Sequence, residues 1–171
     1  MRVAILAVLC AAYSTVWAAS AYKQTLTVKK NQYAEDGVFV GGKAGGGSSL
    51  LNVRRMFSPK AKVERVTLDL GDRDAKPPGK HLGYFQVSLD PKENRVVVDL
   101  SQLKMSRVSE VAVQNLFRKS QYVASVGLTL DPEDKAGTLV LNLKRPMKLE
   151  VFQVLKDGAP GKIVMDLSPR L

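Results

Sequence analysis

The residues able to do covalent or metal chemistry in this chain are few. His81 is the sole histidine and Cys10 the sole cysteine. A zinc hydrolase needs three or four His, Cys or carboxylate ligands, and a Ser-His or Cys-His nucleophile would have to recruit His81. That residue sits in the segment Gly71 to Gly83 (GDRDAKPPGKHLG), where it reads as a solvated loop histidine. Asp69, Asp99 and Asp166 recur, each one residue before a strand's last leucine. They fall opposite the apolar set, so they are expected on a solvated strand face, paired across to Arg or Lys and discouraging edge aggregation. No catalytic residue, metal ligand or cofactor is assigned, and the expectation is a protein without enzymatic activity.

Cationic side chains are the more promising chemistry. Arg54-Arg55, Lys60-Ala61-Lys62, Lys104 with Arg107, Arg118-Lys119 and Lys144-Arg145 carry most of the excess charge. Arg54, Arg55, Arg118 and Lys119 are the ligand-binding candidates. Arg55 stands where the other half of the chain has Leu128, so charge replaces packing in an apolar slot. An exposed ion pair contributes only about 0.2–1 kcal/mol. A few such contacts bind weakly at one site, but a repeating polymer can raise avidity by about 10² to 10⁴.

The elements that hold these residues come from a duplication. Phe85 to Ser101 (FQVSLDPKENRVVVDLS) matches Phe152 to Ser168 (FQVLKDGAPGKIVMDLS) at eight of 17 ungapped positions. Upstream, Val53 to Leu70 aligns with Val126 to Leu143, sharing Val53/Val126, Pro59/Pro132, Lys62/Lys135, Leu68/Leu141 and Leu70/Leu143. The offsets, 73 and 67 residues, place six extra residues of the first half between Gly71 and Tyr84. Inside the repeat, apolar residues alternate with polar ones: Val66, Leu68 and Leu70; Val96, Val98 and Leu100; Leu139, Leu141 and Leu143; Ile163, Met165 and Leu167. Period two marks strands with one buried face. Ser58-Pro59, Asp90-Pro91 and Asp131-Pro132 supply turn signals between them. Strands are therefore expected near 50–57, 63–70, 84–90, 95–100, 122–131, 138–143, 149–155 and 162–167. The fold class is all-β, a sandwich of two similar antiparallel sheets. Ser109 to Ser120 breaks the rhythm and is expected to form a short connecting helix capped by Ser109, with Val113, Leu116 and Phe117 inward.

Before the repeat, the chain reads as an address and a tether. Arg2, the apolar run Val3 to Ala12 and Val16-Trp17-Ala18 have the form of a signal peptide cleaved after Ala18. The run is about half the length of a membrane span, and Leu9 before Cys10 departs from a lipobox, so no transmembrane or lipid anchor is expected in the mature chain. That chain has 25 Lys and Arg (26 less Arg2) against 16 Asp and Glu. An exported protein with a net charge of +9 favours anionic surfaces, while export and the 6% aromatic content argue against nucleic acid. Residues 19–49 end in Gly41-Gly42-Lys43-Ala44-Gly45-Gly46-Gly47-Ser48-Ser49 and are expected to be a flexible glycine-rich tether, dispensable for folding.

The repeated strand ends Arg95 to Leu100 and Lys162 to Leu167, the doubled halves, the leader and the basic mature chain together resemble the AMIN domain. The resemblance covers about residues 50–170 and divides the chain into a signal peptide (1–18), a tether (19–49) and an AMIN-like domain (50–171). It implies a β-sandwich in the periplasm, found in front of N-acetylmuramoyl-L-alanine amidases and in type IV pilus secretins, where it binds peptidoglycan. The expected function is a cell-envelope binding module for peptidoglycan or another anionic wall polymer. The alternative is an accessory domain that docks on a secretin, amidase or other envelope protein complex.

Overall fold

The computed structural model describes residues 22–131, 133 and 136–170. The leader expected over residues 1–18 lies outside the described residues. Eleven strands and one helix follow in the order β1 (Tyr22–Gln24), β2 (Gly37–Gly41), β3 (Ser48–Ser58), β4 (Val63–Gly71), β5 (Phe85–Asp90), β6 (Arg95–Leu100), β7 (Leu103–Ser106), α1 (Glu110–Phe117), β8 (Val123–Asp131), β9 (Ala136–Leu143), β10 (Met147–Val154) and β11 (Gly161–Pro169). Each strand anticipated from the alternation is present within a few residues. Ser109 caps α1 as expected, its side chain accepting a hydrogen bond from the Ala112 N–H at 3.3 Å, and Val113 and Phe117 are buried.

Two sheets pack face to face. One runs β1-β2-β5-β6-β9-β8 and the other β10-β11-β4-β3-β7. Both are antiparallel apart from one parallel pair at an edge of each, β1 with β2 and β3 with β7. Each half of the repeat gives one hairpin to each sheet, so the hairpins β3-β4 and β10-β11 share one sheet while β5-β6 and β8-β9 share the other. The joints between halves are equivalent: Val96↔Leu141 and Val98↔Leu139 in one sheet answer Ile163↔Leu68 and Met165↔Val66 in the other. A bulge between Leu50 and Asn52 in β3 recurs between Val123 and Ser125 in β8, at the same repeat positions. The duplication thus extends to backbone irregularities.

Packing follows the alternation. Val66, Leu68, Val96, Val98, Leu141, Ile163, Met165 and Leu167 have no exposed surface, and burying each such side chain stabilises the fold by about 1.5–3 kcal/mol. One part of the repeat departs from the ungapped alignment. The β10-β11 connection is longer than that of β5-β6, residues 155–160 against 91–94. The register of β10 shifts accordingly. Phe85, opposite Leu100, lies in the core, and its structural counterpart opposite Leu167 is Leu149, not Phe152. Phe152 lies on the outer face.

The expectation of a flexible tether over residues 19–49 is corrected. β2 pairs antiparallel with β5, and Phe39 reaches the core. β1 extends that sheet, and Thr25 donates through Oγ1 to the Val40 carbonyl at 2.6 Å. Between these strands the chain crosses to the other sheet, where Leu26 bridges Phe152 and Ala34 bridges Leu149. The segment is ordered because β5 and β10 are edge strands whose unpaired N–H and C=O groups need partners. Glycines serve this path: a Cβ on Gly41 would sit 2.4 Å from the Phe85 ring, and one on Gly42 2.1 Å from the Gly83 carbonyl oxygen.

The dispensable-tether expectation reverses with it. A chain starting at Ser49 exposes the outer edges of β5 and β10 and removes Phe39 from the core. Thermal unfolding of this truncation should be broad, or its midpoint should fall by well over 10 °C, since each lost kcal/mol lowers the midpoint of a domain this size by roughly 2–8 °C. A melt within a few degrees of the mature chain would show that the edges do not need their cover.

Candidate functional site

The four cationic candidates occupy three different environments. Arg54 and Arg55 are neighbours on β3, so their side chains leave opposite faces of the sheet. Arg54 stands on the outer face, half exposed, and its Nη2 donates to Asp69 Oδ1 at 2.7 Å. Arg55 turns toward the sandwich interior, opposite Val66. Arg118 and Lys119 are exposed at the end of α1, where cations complement the helix dipole.

Arg55 is therefore a structural cation. Its Nη1 meets Glu64 Oε1 at 2.9 Å, and its Nε donates to the Leu116 carbonyl at 3.1 Å. Glu64 has no exposed surface, and its other oxygen accepts the Tyr122 N–H at 2.9 Å. Tyr122 in turn donates its hydroxyl to the Lys62 carbonyl and meets Phe57 edge-on, ring centroids 5.6 Å apart. This network ties the end of α1 and the entry to β8 onto the β3-β4 hairpin. At the matching positions of the second half stand Leu128 and Gly137, and Leu103 fills the space a Cβ on Gly137 would need. The charge in an apolar slot is answered by Glu64, which sequence alignment alone had no reason to pair with it.

The carboxylates also separate. Asp99 is exposed as expected. Asp69 is buried against Arg54. Asp166, expected on a solvated face, has no exposed surface, because residues 26–34 cross over it. Arg65 approaches it with two hydrogen bonds, Nε to Oδ1 at 2.6 Å and Nη2 to Oδ2 at 2.8 Å, and Lys29 donates to Oδ2. Burial alone pushes the Asp166 carboxyl up, but the hydrogen bonds and charges of Arg65 and Lys29 outweigh it and hold the group below its ordinary value. Desolvation tends to lower Lys29, yet its bond to Asp166 leaves it raised. Arg65 is raised mainly by the same hydrogen bond. Glu150, 1% exposed, accepts the N–H groups of Lys30 and Gln32 at 2.8 and 3.1 Å.

Beside this network a trough of about 540 Å³ runs along the outer face of the five-stranded sheet. Arg54 and Met56 from β3, Arg65 from β4, Phe152 from β10 and Lys162 and Val164 from β11 line it. The guanidinium of Arg65 lies over the Phe152 ring, 5.5 Å from its centroid, a favourable cation–π geometry. No Asp or Glu is among the lining residues. Arg54, Arg55 and Arg65 each hold a carboxylate outside the lining, whereas Lys162 has no ion pair among the described residues. The floor is apolar and the rim cationic, suited to a ligand with an anionic group and an apolar face.

Of the sequence candidates only Arg54 and Arg55 border this trough, Arg55 with its guanidinium turned inward onto Glu64. Lys162, Arg65 and Phe152 were missed. Alternation could have placed Lys162 and Arg65 outward, but Phe152 was hidden by the register shift. Among the described residues no three His, Cys, Asp or Glu side chains are grouped to hold a metal ion, and no helix is long and apolar enough to cross a membrane. No protein-family model matches the chain, and no curated protein matches it.

The Asp166 network predicts a pH dependence at both ends. With its folded value depressed, Asp166 contributes stability that is complete above its ordinary value of 3.8 and is lost as pH falls below it. With its folded value raised, Lys29 contributes stability that is complete below 10.5 and is lost as pH rises beyond it. Thermal melts of the parent and of Asp166→Asn should differ most near neutral pH and converge as pH falls through the depressed folded value of Asp166. A difference that stayed constant through the acid limb would show that Asp166 gains nothing from its partners.

Proposed function

We propose that this chain is an exported, non-enzymatic binding module of the cell envelope, and that the outer trough takes an anionic wall polymer, peptidoglycan or another. The observation that carries the reading is the trough itself: a cationic, carboxylate-free lining over an apolar floor, with Lys162 left without an ion pair among the described residues. The duplicated strand ends that resemble the AMIN domain support it, as does the leader-like start of the sequence. An open surface suits a polymer, because weak contacts repeated along the ligand accumulate avidity.

Binding rests on Lys162 and Arg54, with Arg65 stacked on Phe152 presenting one further cation. Arg118 and Lys119 stand at the end of α1, outside the trough lining, and serve at most as peripheral attraction. Arg55 is excluded as a contact that can be reversed harmlessly. Replacing it by Glu would set two carboxylates against each other in a buried site, and breaking such a pair costs about 3–5 kcal/mol. The Arg55→Glu variant should therefore fail to fold cooperatively, as circular dichroism melts would show. A folded Arg55→Glu variant would return that residue to the surface.

Retention on purified sacculi tests the trough. Exposed charge contacts are screened over about 8 Å at physiological ionic strength, so retention should weaken steeply with added salt. The double variant Lys162→Gln, Arg54→Gln leaves the buried Asp69 without Arg54, so its fold is checked by a circular dichroism melt, and the folded protein should bind about three- to tenfold more weakly. A folded double variant that bound as well as the parent, with no response to salt, would move the wall polymer off this face. The accessory-domain reading would then lead, with the sheet-end strands β7 and β8 as its docking edges; Met105 and Leu130, 43% and 42% exposed, stand there.

A further inference from the structure

The glycine-rich run first read as a tether is a folded loop, and part of its composition has no structural explanation. Gly42, Gly45 and Gly47 have φ of 71°, 95° and 67°, the left-handed region that favours glycine. Gly46 does not adopt such a φ, and a Cβ built on it would meet nothing within 4 Å. Neither conformation nor packing requires glycine there. A remaining use of glycine is to let backbone approach a ligand closely.

The surroundings indicate which ligand. The loop is anchored at its ends: Lys43 N–H donates to the Leu82 carbonyl, Gly45 N–H to Gln102 Oε1 at 3.0 Å, and Ser48 N–H to the Gln102 carbonyl. The N–H groups of Ala44, Gly46 and Gly47 have no acceptor among the described residues. Two clefts, of about 300 and 270 Å³, share Gly46 and Gly47. Lys43, Lys80 and His81 line the first, Arg73 and Lys104 the second. One carboxylate, Asp72, is present, and its Oδ1 already accepts from the N–H groups of Asp74 and Lys76, each at 2.9 Å. Unused N–H donors in a loop of alternating hand, bracketed by cations, suit a tetrahedral anion with several acceptor oxygens.

We propose that the loop of residues 42–47 binds a phosphate group, with the N–H donors of Ala44, Gly46 and Gly47 engaging its oxygens and Lys43 and Lys80 supplying charge. The site is separate from the outer trough and stands or falls without it. The phosphate belongs either to a soluble ester or to a lipid headgroup, and both present the same oxygens to the loop.

Titration of the mature chain with inorganic phosphate, followed by amide nitrogen NMR, should shift the signals of Ala44, Gly46 and Gly47. Gly46→Ala places a methyl in open space at an ordinary φ, so its melting temperature should match the parent. Its phosphate affinity should drop about tenfold, the equivalent of one lost charge-assisted hydrogen bond. Lys43→Gln with Lys80→Gln should weaken binding similarly, while Lys162→Gln should leave it unchanged. Vesicles of phosphatidylcholine with and without phosphatidic acid separate the sources. Retention on the phosphatidic acid vesicles, lost in Gly46→Ala, assigns a lipid headgroup; loop shifts with free phosphate and no vesicle retention assign a soluble ester. Absence of loop shifts with either probe, or equal affinity in parent and Gly46→Ala, overturns the proposal.

Discussion

Neither half of this chain can bury its own apolar faces, and the pairing of β6 with β9 and of β11 with β4 is the constraint from which the rest follows. These two joints, equivalent under the repeat, place one hairpin of each half in each sheet. Because a shift of one residue in either joint would turn every inward side chain outward, the buried sets on β4, β6, β9 and β11 must be in step across the halves. They are, down to the recurring bulge in β3 and β8.

Joining the halves in this way leaves edges, and the segment before the repeat exists to close them. β2 covers β5, while the bridges at Leu26 and Ala34 cover β10. Having crossed the outer face to do so, the chain buries Asp166 and Glu150; Lys29 and Arg65 hold Asp166, while the N–H groups of Lys30 and Gln32 engage one oxygen of Glu150 and Lys29 stands 3.9 Å from the other. An unpaired carboxylate in that position would be costly. The same logic operates at the other end, where Glu64 is held by Arg55 and the Tyr122 N–H. Asp166 and Glu64 thus mark joints between segments distant in sequence, whereas buried Asp69 is held within the β3-β4 hairpin by Arg54.

The cations that remain are arranged around those joints. Arg65 bonds Asp166 through its nitrogens and stacks on Phe152, which fixes it at the rim of the trough. Lys162 stands across the sheet from Asp69, but Arg54 holds that carboxylate. The loop from Asp72 to Gly83 packs through Pro78 and Leu82 near Gly161, so the glycine loop and the Lys162 end of the trough lie toward the same end of the sandwich. Two cation-lined clefts thus neighbour each other, one with Phe152 and Val164 among its lining, the other rich in backbone donors.

Sequence alone determined the repeat, its eight strands, their inward faces outside β10 and the capped helix, because each of these depends on spacing along the chain: period two for strands, a Ser three residues ahead of an amide for the cap. Val98 and Met165 were assigned inward from alternation and are fully buried. Tertiary structure alone decided which hairpin joins which sheet, that residues 22–41 complete both edges, and which charges are buried. Local composition made residues 19–49 look unable to order, yet the order of residues 22–41 comes from unpaired backbone on β5 and β10, which no local reading contains. Arg54 and Arg55 looked like one cluster, but a strand sends neighbours to opposite faces, and only the partner carboxylates Asp69 and Glu64 show which became surface and which became scaffold. The trough was hidden for the same reason: Lys162, Arg65 and Phe152 come from three strands, and the longer β10-β11 turn moved Phe152 to a face that the ungapped repeat assigned to the core.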